Sequence, residues 1–194
     1  MRRLSYIISM SFSAALLLLF TACKDKKTPD TNIITTDYEQ PKPTGPIAME
    51  ASTNSRDVEW VEGRHYQVCV NRHSVDSLPM VAGANGQQYY DNVINLQVMR
   101  ADSTVFFDRT FTKNSFANWV SADFRKQAVL EGLNMVKADD EGLMFVAWIN
   151  NPEAVDDEAT ELRILIDRMG HVDIQRFTDD DRDDLKMQLE EEAM

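Results

Sequence analysis

Two histidines and a cysteine, His65, Cys69 and His73, are spaced by four residues and are residue types that bind zinc. On a helix this spacing would place the three side chains on one face, whereas four residues of a β-strand span about 13 Å. Zinc ligands lie about 2 Å from the metal. Because residues 66–70 alternate as a strand does, the three side chains are not expected to converge, and no metal site is predicted.

Three acidic clusters are candidates for calcium: residues 139–141, 156–158 and 179–184. None has the alternating acidic spacing around a central glycine that is typical of an EF-hand loop. We therefore interpret all three as solvated segments.

Aromatic and basic residues offer two further kinds of binding site. Trp60, Trp119 and Trp148 are candidates for a sugar-stacking platform, but aromatic residues at strand or helix spacing usually pack in the core. Four basic residues make the least acidic part of the domain, and a solvated face is favoured over an anion site: Arg109, Lys113, Arg125 and Lys126.

Linear motifs for catalysis are absent from the sequence. It contains no G-x-S-x-G, no H-E-x-x-H, no phosphate-binding glycine loop and no C-x-x-C. Carboxylate pairs on distant strands leave no such motif, so an enzyme acting on envelope polymers stays an alternative. No catalytic residue and no cofactor-binding residue is predicted.

The amino terminus has the pattern of a secretory signal. Arg2 and Arg3 precede an apolar run over residues 7–20, which predicts a signal peptide over residues 1–22. A membrane-spanning helix needs about 20 apolar residues, and this run is shorter and interrupted by serines.

The signal ends in Thr21, Ala22 and Cys23, which resembles the lipobox of bacterial lipoproteins, with Phe20 where that motif usually has leucine. The resemblance implies a diacylglyceryl group on the Cys23 thiol, with two fatty acyl chains such as palmitate. Two acyl chains hold a protein stably on a bilayer. We therefore predict attachment to a membrane through Cys23, with ordinary secretion as the first alternative.

Charge and cysteine content restrict the partners further. The formal net charge is −12, and it becomes −14 without residues 1–22, which contain two arginines and no acidic residue. Such a field repels nucleic acid, so no nucleic-acid partner is predicted. If Cys23 is acylated, Cys69 has no disulfide partner in the chain, and we expect Cys69 to be a buried apolar residue.

Residues 23–57 contain four of the six prolines, and polar residues fill most of the rest. Such a segment cannot bury enough apolar surface to fold, which predicts a disordered tether of roughly 30 Å mean span. Lys24 follows the cysteine, where aspartate is the retention signal of the inner membrane. An outer-membrane lipoprotein is therefore expected, with the periplasmic face favoured and the cell surface left open.

From residue 58 to residue 178 the hydrophobic period is two, which predicts an antiparallel β domain. Asn85-Gly86 is the strongest hairpin turn, residues 94–98 pair with residues 105–111, and residues 143–149 are apolar on both faces, as in a central strand. Helical spacing predicts one helix over residues 114–127, and residues 179–194 form an acidic helix or tail. The predicted class is mainly β (α+β): an antiparallel meander, as a sandwich or half-barrel, with one or two short helices.

The order of these segments resembles a family of Bacteroidales lipoproteins known only as a domain of unknown function. The likeness rests on the lipobox, the proline-rich tether, the strand at residues 107–113 with Phe116 after it, and the runs at residues 143–146 and 164–170. It covers roughly residues 57–177. It implies an envelope lipoprotein and brings no functional residues.

The function predicted from the sequence is non-catalytic binding by an accessory domain tethered to the cell envelope. An envelope protein or a small molecule would be the ligand. A carrier is the first alternative to this function and an enzyme is the second. In a carrier, the sheet would enclose an apolar ligand in a barrel-like cavity.

Overall fold

A computed structural model of the chain describes residues 45–83, 86–154 and 159–192. The predicted signal peptide, Cys23 and most of the predicted tether lie outside the described residues. So do Asn85 of the predicted turn and the acidic cluster at residues 156–158.

In the described residues, ten strands and two α-helices follow one another. In order, they are β1 Ser52–Trp60, β2 Arg64–Val75, β3 Val81–Ala82, β4 Gln88–Tyr89, β5 Asp91–Arg100, β6 Val105–Phe111, α1 Ala122–Gln127, β7 Val129–Ala138, β8 Leu143–Asn150, β9 Thr160–Ile166, β10 Val172–Arg176 and α2 Asp179–Glu192.

The strands form two four-stranded antiparallel sheets and a small hairpin, and no closed barrel is formed by the described strands. Sheet 1 has the order β1-β2-β5-β6, and sheet 2 has the order β10-β9-β8-β7. Inward-facing residues of both sheets make one apolar core, in which Leu96 of sheet 1 and Phe145 of sheet 2 are fully buried. The prediction of a mainly antiparallel β fold is confirmed, in its sandwich form.

The strand pattern of the sequence accounts for most of this arrangement. β8 is buried on both faces along nearly its whole length and lies inside sheet 2, as its two apolar faces predict. The β3–β4 hairpin surrounds the predicted turn, and Gly86 has a φ of 78°, a left-handed conformation that glycine adopts without strain.

The prediction of one helix over residues 114–127 is wrong. Lys113–Phe116 form a single 3₁₀ turn after a capping box made by Thr112 and Ser115. Ser121 then has an extended backbone, and its side chain accepts a hydrogen bond from the Phe124 amide to start α1. Because a serine that caps a new helix cannot continue an old one, the segment splits into two short helices.

The first strand begins at Ser52, inside the segment that composition predicts to be tether. Residues 52–57 are exposed on both faces of the strand, so no apolar alternation marks them in the sequence. The residues just before β1 also contact the rest of the fold. Ile47 forms a β-bridge with Tyr89, and the Met49 amide donates a hydrogen bond to Ser74 Oγ.

Candidate functional site

The three candidate zinc ligands of the sequence all lie on β2: His65, Cys69 and His73. Their spacing of four places them on the same face of the sheet, with about 13 Å between neighbours, so the three side chains do not converge. Among the described residues, no three histidine, cysteine, aspartate or glutamate side chains are grouped to hold a metal ion.

Cys69 is half-buried, and the prediction that it is a buried core residue is wrong. Tyr66, Val68 and Val70 point into the core, and alternation therefore turns Cys69 to the outer face of sheet 1. There it lies between Ser55 of β1 and Gln97 of β5.

The outer face of sheet 1 has rows of small polar side chains in strand register. We name this surface the amide face, and its residues are Thr53, Asn71, Asn95 and Thr110 in one row, Ser55, Cys69, Gln97 and Asp108 in the next, and Asp57, Gln67 and Met99 in the third. The rows contain four amides, three hydroxyls and two carboxylates, but no lysine, arginine or aromatic residue. Neighbours lie about 4.8 Å apart across strands and about 6.7 Å apart along them.

Hydrogen bonds between strands hold the amides in place. Asn95 and Gln97 each donate to one oxygen of Asp108, both over 2.8 Å, and Asn71 donates to Thr53 Oγ1 over 3.1 Å. The two amide donors lower the pKa of Asp108 below its ordinary value. Each amide keeps its carbonyl oxygen or a second N–H for a ligand, because an amide side chain has two donors and one acceptor oxygen.

A cleft of about 440 Å³ continues the amide face at the β5–β6 turn. It is open to solvent, and its lining includes Asp57, His65, Gln67, Met99, Arg100 and Ser103. Asp57 is the one carboxylate in this lining, so the cleft does not have the facing pair of carboxylates that glycoside hydrolysis requires.

The three tryptophans lie on different parts of the fold: Trp60 is on β1, Trp119 precedes α1, and Trp148 is on β8. Trp60 is 4% exposed, lies edge-on to Tyr66 at 5.3 Å between ring centres, and donates a hydrogen bond to the Asp139 carbonyl. Trp148 is half-buried and donates to Glu161. The prediction that Trp60 belongs to the core is confirmed, and its hydrogen bond links the two sheets.

Lys113 is buried, which contradicts the prediction that it belongs to a solvated basic face. Its Nζ lies 3.2 Å from Asp91 Oδ2 and donates to the Ala128 carbonyl over 2.9 Å. Asp91 Oδ1 accepts from the amides of Asn92 and Leu130. Every charged atom of the pair therefore has a partner, and the cluster joins β5, the 3₁₀ turn and the start of β7.

Sheet 2 differs from sheet 1 because a helix is attached to its outer side. Arg163 of β9 pairs with Asp181 of α2 over 2.9 Å, and Arg182 of α2 pairs with Glu161. Burial by itself raises the pKa of Asp181, but hydrogen bonds from Thr178 and the charge of Arg163 lower it overall. The prediction of an acidic helix after Thr178 agrees with the structure, and the outer face of sheet 1 has no such helix in the part of the chain that the structure describes.

Sequence reasoning missed the amide face as a surface. Its alternating polar residues on β2 and β5 are visible in the sequence, but which of them are neighbours depends on strand register.

The two predicted alternatives to binding, a carrier and an enzyme, receive less support from the geometry of the cleft. The cleft is polar and open, unlike the enclosed apolar cavity that a carrier needs.

No helix among the described residues has the length and apolar character to cross a membrane.

Comparison with known proteins gives a family but no function. No curated protein matches the chain. Residues 32–174 match the family described as Domain of unknown function (DUF4738), which is well over half of the chain. The chain therefore belongs to this family of domains of unknown function.

Proposed function

We propose that the chain is a lipid-anchored, non-catalytic binding domain of the cell envelope, and that its amide face binds an uncharged, hydroxyl-rich ligand such as a polysaccharide. The amide face is the observation that carries the proposal. Sheet 2 has its outer side joined to α2 by ion pairs, whereas sheet 1 presents ordered amides and hydroxyls to solvent.

The chemistry of the face favours this class of ligand. Amide groups both donate and accept, as sugar hydroxyls do, and a preformed array loses little side-chain entropy on binding. With carboxylates and no lysine or arginine, the face disfavours anionic polymers. With Met99 and the exposed Val105 opposite it as its large apolar residues, it offers little surface to a lipid.

The anchor is proposed from the sequence alone. Arg2, Arg3, the apolar run and the Thr21-Ala22-Cys23 ending support acylation at Cys23, and the proline-rich segment supports a tether. We place the domain at the outer membrane, on the periplasmic side by preference, with the cell surface as the alternative. In the Cys23→Ser variant we expect loss of acyl mass and release from membranes. Membrane-bound Cys23→Ser protein of unchanged mobility would contradict the anchor.

The ligand class is tested by affinity electrophoresis of the full chain through gels that contain dextran, mannan or xylan, with heparin as the anionic comparison. We expect retardation by at least one neutral polymer and none by heparin. The double variant Asn71→Ala/Asn95→Ala should lose the retardation. Gln175→Ala, an exposed amide on β10 of sheet 2, is the matched control and should keep it. Retardation unchanged by the double variant, or no retardation by any neutral polymer, would contradict the proposal.

A further inference from the structure

β1 is an edge strand of sheet 1 with an unusually regular and accessible outer side. Its nine residues pair with β2 without a register shift, from Ser52 opposite Arg72 to Trp60 opposite Arg64. Residues 52–57 are exposed, and in the described part of the chain β2 is the only strand paired with β1. Its outer backbone N–H and C=O groups are therefore available to another strand.

The other three edges of the two four-stranded sheets have features that discourage such pairing. β10 has only five residues. The pairing of β7 with β8 shifts register twice, and the pairing of β6 with β5 shifts between Val98 and Met99. Short strands and bulges protect sheet edges from other chains. β1 has neither, and it contains no proline or lysine.

We infer that β1 pairs antiparallel with β1 of a second copy of this chain. Such pairing is two-fold symmetric, so one segment supplies both sides of the contact. For the faces of sheet 1 to continue from one copy into the other, each residue must also stand opposite a residue that points to the same face.

Charge and length together select one register of β1, because centring the pair on Asn54 avoids like charges but pairs only residues 52–56 of the strand. Centring the pair on Arg56 or on Asp57 would set like charges directly opposite each other, which is destabilising. Centring it on Ser55 sets Arg56 opposite Asn54 and Asp57 opposite Thr53. In this register residues 52–58 pair without any like-charge contact, and Ser55 of each copy stands opposite Ser55 of the other.

The dimer joins the two copies of sheet 1 into one sheet of eight strands. Thr53, Ser55 and Asp57 lie on the outer face of β1, so the two amide faces become neighbours on one continuous surface. A single strand pair is a small interface, of the size found in transient complexes. This inference does not depend on what the amide face binds.

Disulfide trapping tests the contact and its register in the purified full chain. Ser55→Cys is made together with Cys69→Ser, because Cys69 is directly opposite Ser55 on β2 of the same copy. Opposite residues of an antiparallel pair have Cα atoms about 4.5 to 5.5 Å apart, within the range that a disulfide spans. Under mild oxidation we expect a reducible dimer on a non-reducing gel.

Glu59→Cys in the same Cys69→Ser background is the matched control. Glu59 is exposed and on the same face of β1, but in the inferred register its two copies are about 26 Å apart along the strands. It should not trap a dimer. Cys69→Ser alone reports any bond through Cys23. Equal trapping by Ser55→Cys and Glu59→Cys, or none by Ser55→Cys, overturns the inference.

A charge at the two-fold axis gives a second test that needs no disulfide. Ser55→Asp sets two carboxylates opposite each other and should weaken the dimer, measured by sedimentation, by at least about tenfold. Thr110→Asp is its control, because Thr110 is exposed on the same face at the opposite edge of sheet 1. A wild-type chain that stays monomeric at every concentration, or a dimer that Ser55→Asp leaves intact, refutes pairing through β1.

Discussion

Removing the amine of Lys113 should destabilise the fold far more than removing an exposed lysine. The side chain of Lys113 is 9% exposed and that of Asp91 is 1% exposed, so their ion pair is shielded from water. Lys113→Met would leave the Asp91 carboxylate buried without its counter-charge and the Ala128 carbonyl without its donor. Breaking one side of a buried pair costs about 3–5 kcal/mol. This is a large fraction of the roughly 5–15 kcal/mol that holds a domain folded.

The assay is urea unfolding followed by tryptophan fluorescence, with Lys126→Met as the control. Lys126 pairs with Asp123 at a similar distance, but both side chains are mostly exposed, at 73% and 88%. Such surface pairs contribute about 0–1 kcal/mol. We therefore expect the free energy of unfolding to fall by about 3–5 kcal/mol in Lys113→Met and by under about 1 kcal/mol in Lys126→Met.

The double variant Asp91→Asn/Lys113→Met separates charge from packing. The asparagine oxygen can still accept from the Leu130 amide, and no net charge stays buried. The double variant should lose less stability than Lys113→Met alone. Similar losses in Lys113→Met and Lys126→Met, or a double variant less stable than Lys113→Met, would refute the argument that the buried charge dominates.

Two further predictions concern α2 and a turn. Because the pKa of Asp181 is below its ordinary 3.8 in the fold, its contribution is present above that value and is lost as the pH falls through the folded pKa. Asp181→Asn should therefore show a smaller drop in urea midpoint than wild type between about pH 5 and pH 2.5; an equal drop would argue against this role. Gly142→Ala should destabilise strongly, because the added Cβ would clash with the Ile166 backbone carbonyl oxygen. Gly170→Ala, with open space around the Cβ and a φ of +83°, should cost only about 1–2 kcal/mol, and equal losses in the two alanine variants would contradict the steric reason.

The sequence predicted those strands that have one face in the apolar core and one face in solvent. The alternation of Ile94, Leu96 and Val98 marks β5, and the two apolar faces of residues 143–149 mark an interior strand. These predictions succeed because burial of one face leaves a period of two in the residues themselves. Where that pattern is missing, as in residues 52–57, the strand was not predicted.

The residues next to Cys69 in the sequence also determine which face of β2 it occupies. The prediction that Cys69 is buried did not take this alternation into account. Val68 and Val70 face the core, so the residue between them faces outward. The membrane anchor at Cys23 is a proposal of the same kind, since a signal and its cysteine are read from consecutive residues.

Only the tertiary structure decided which distant residues become neighbours. Strand register brings Asn95 and Gln97 of β5 to Asp108 of β6, and it aligns Asn71 of β2 with the same rows. The burial of Lys113 likewise depends on Asp91, a residue 22 positions earlier on another element. A sequence states which side chains are polar, but pairing across a sheet and burial of a charge depend on contacts that the chain makes only when it is folded.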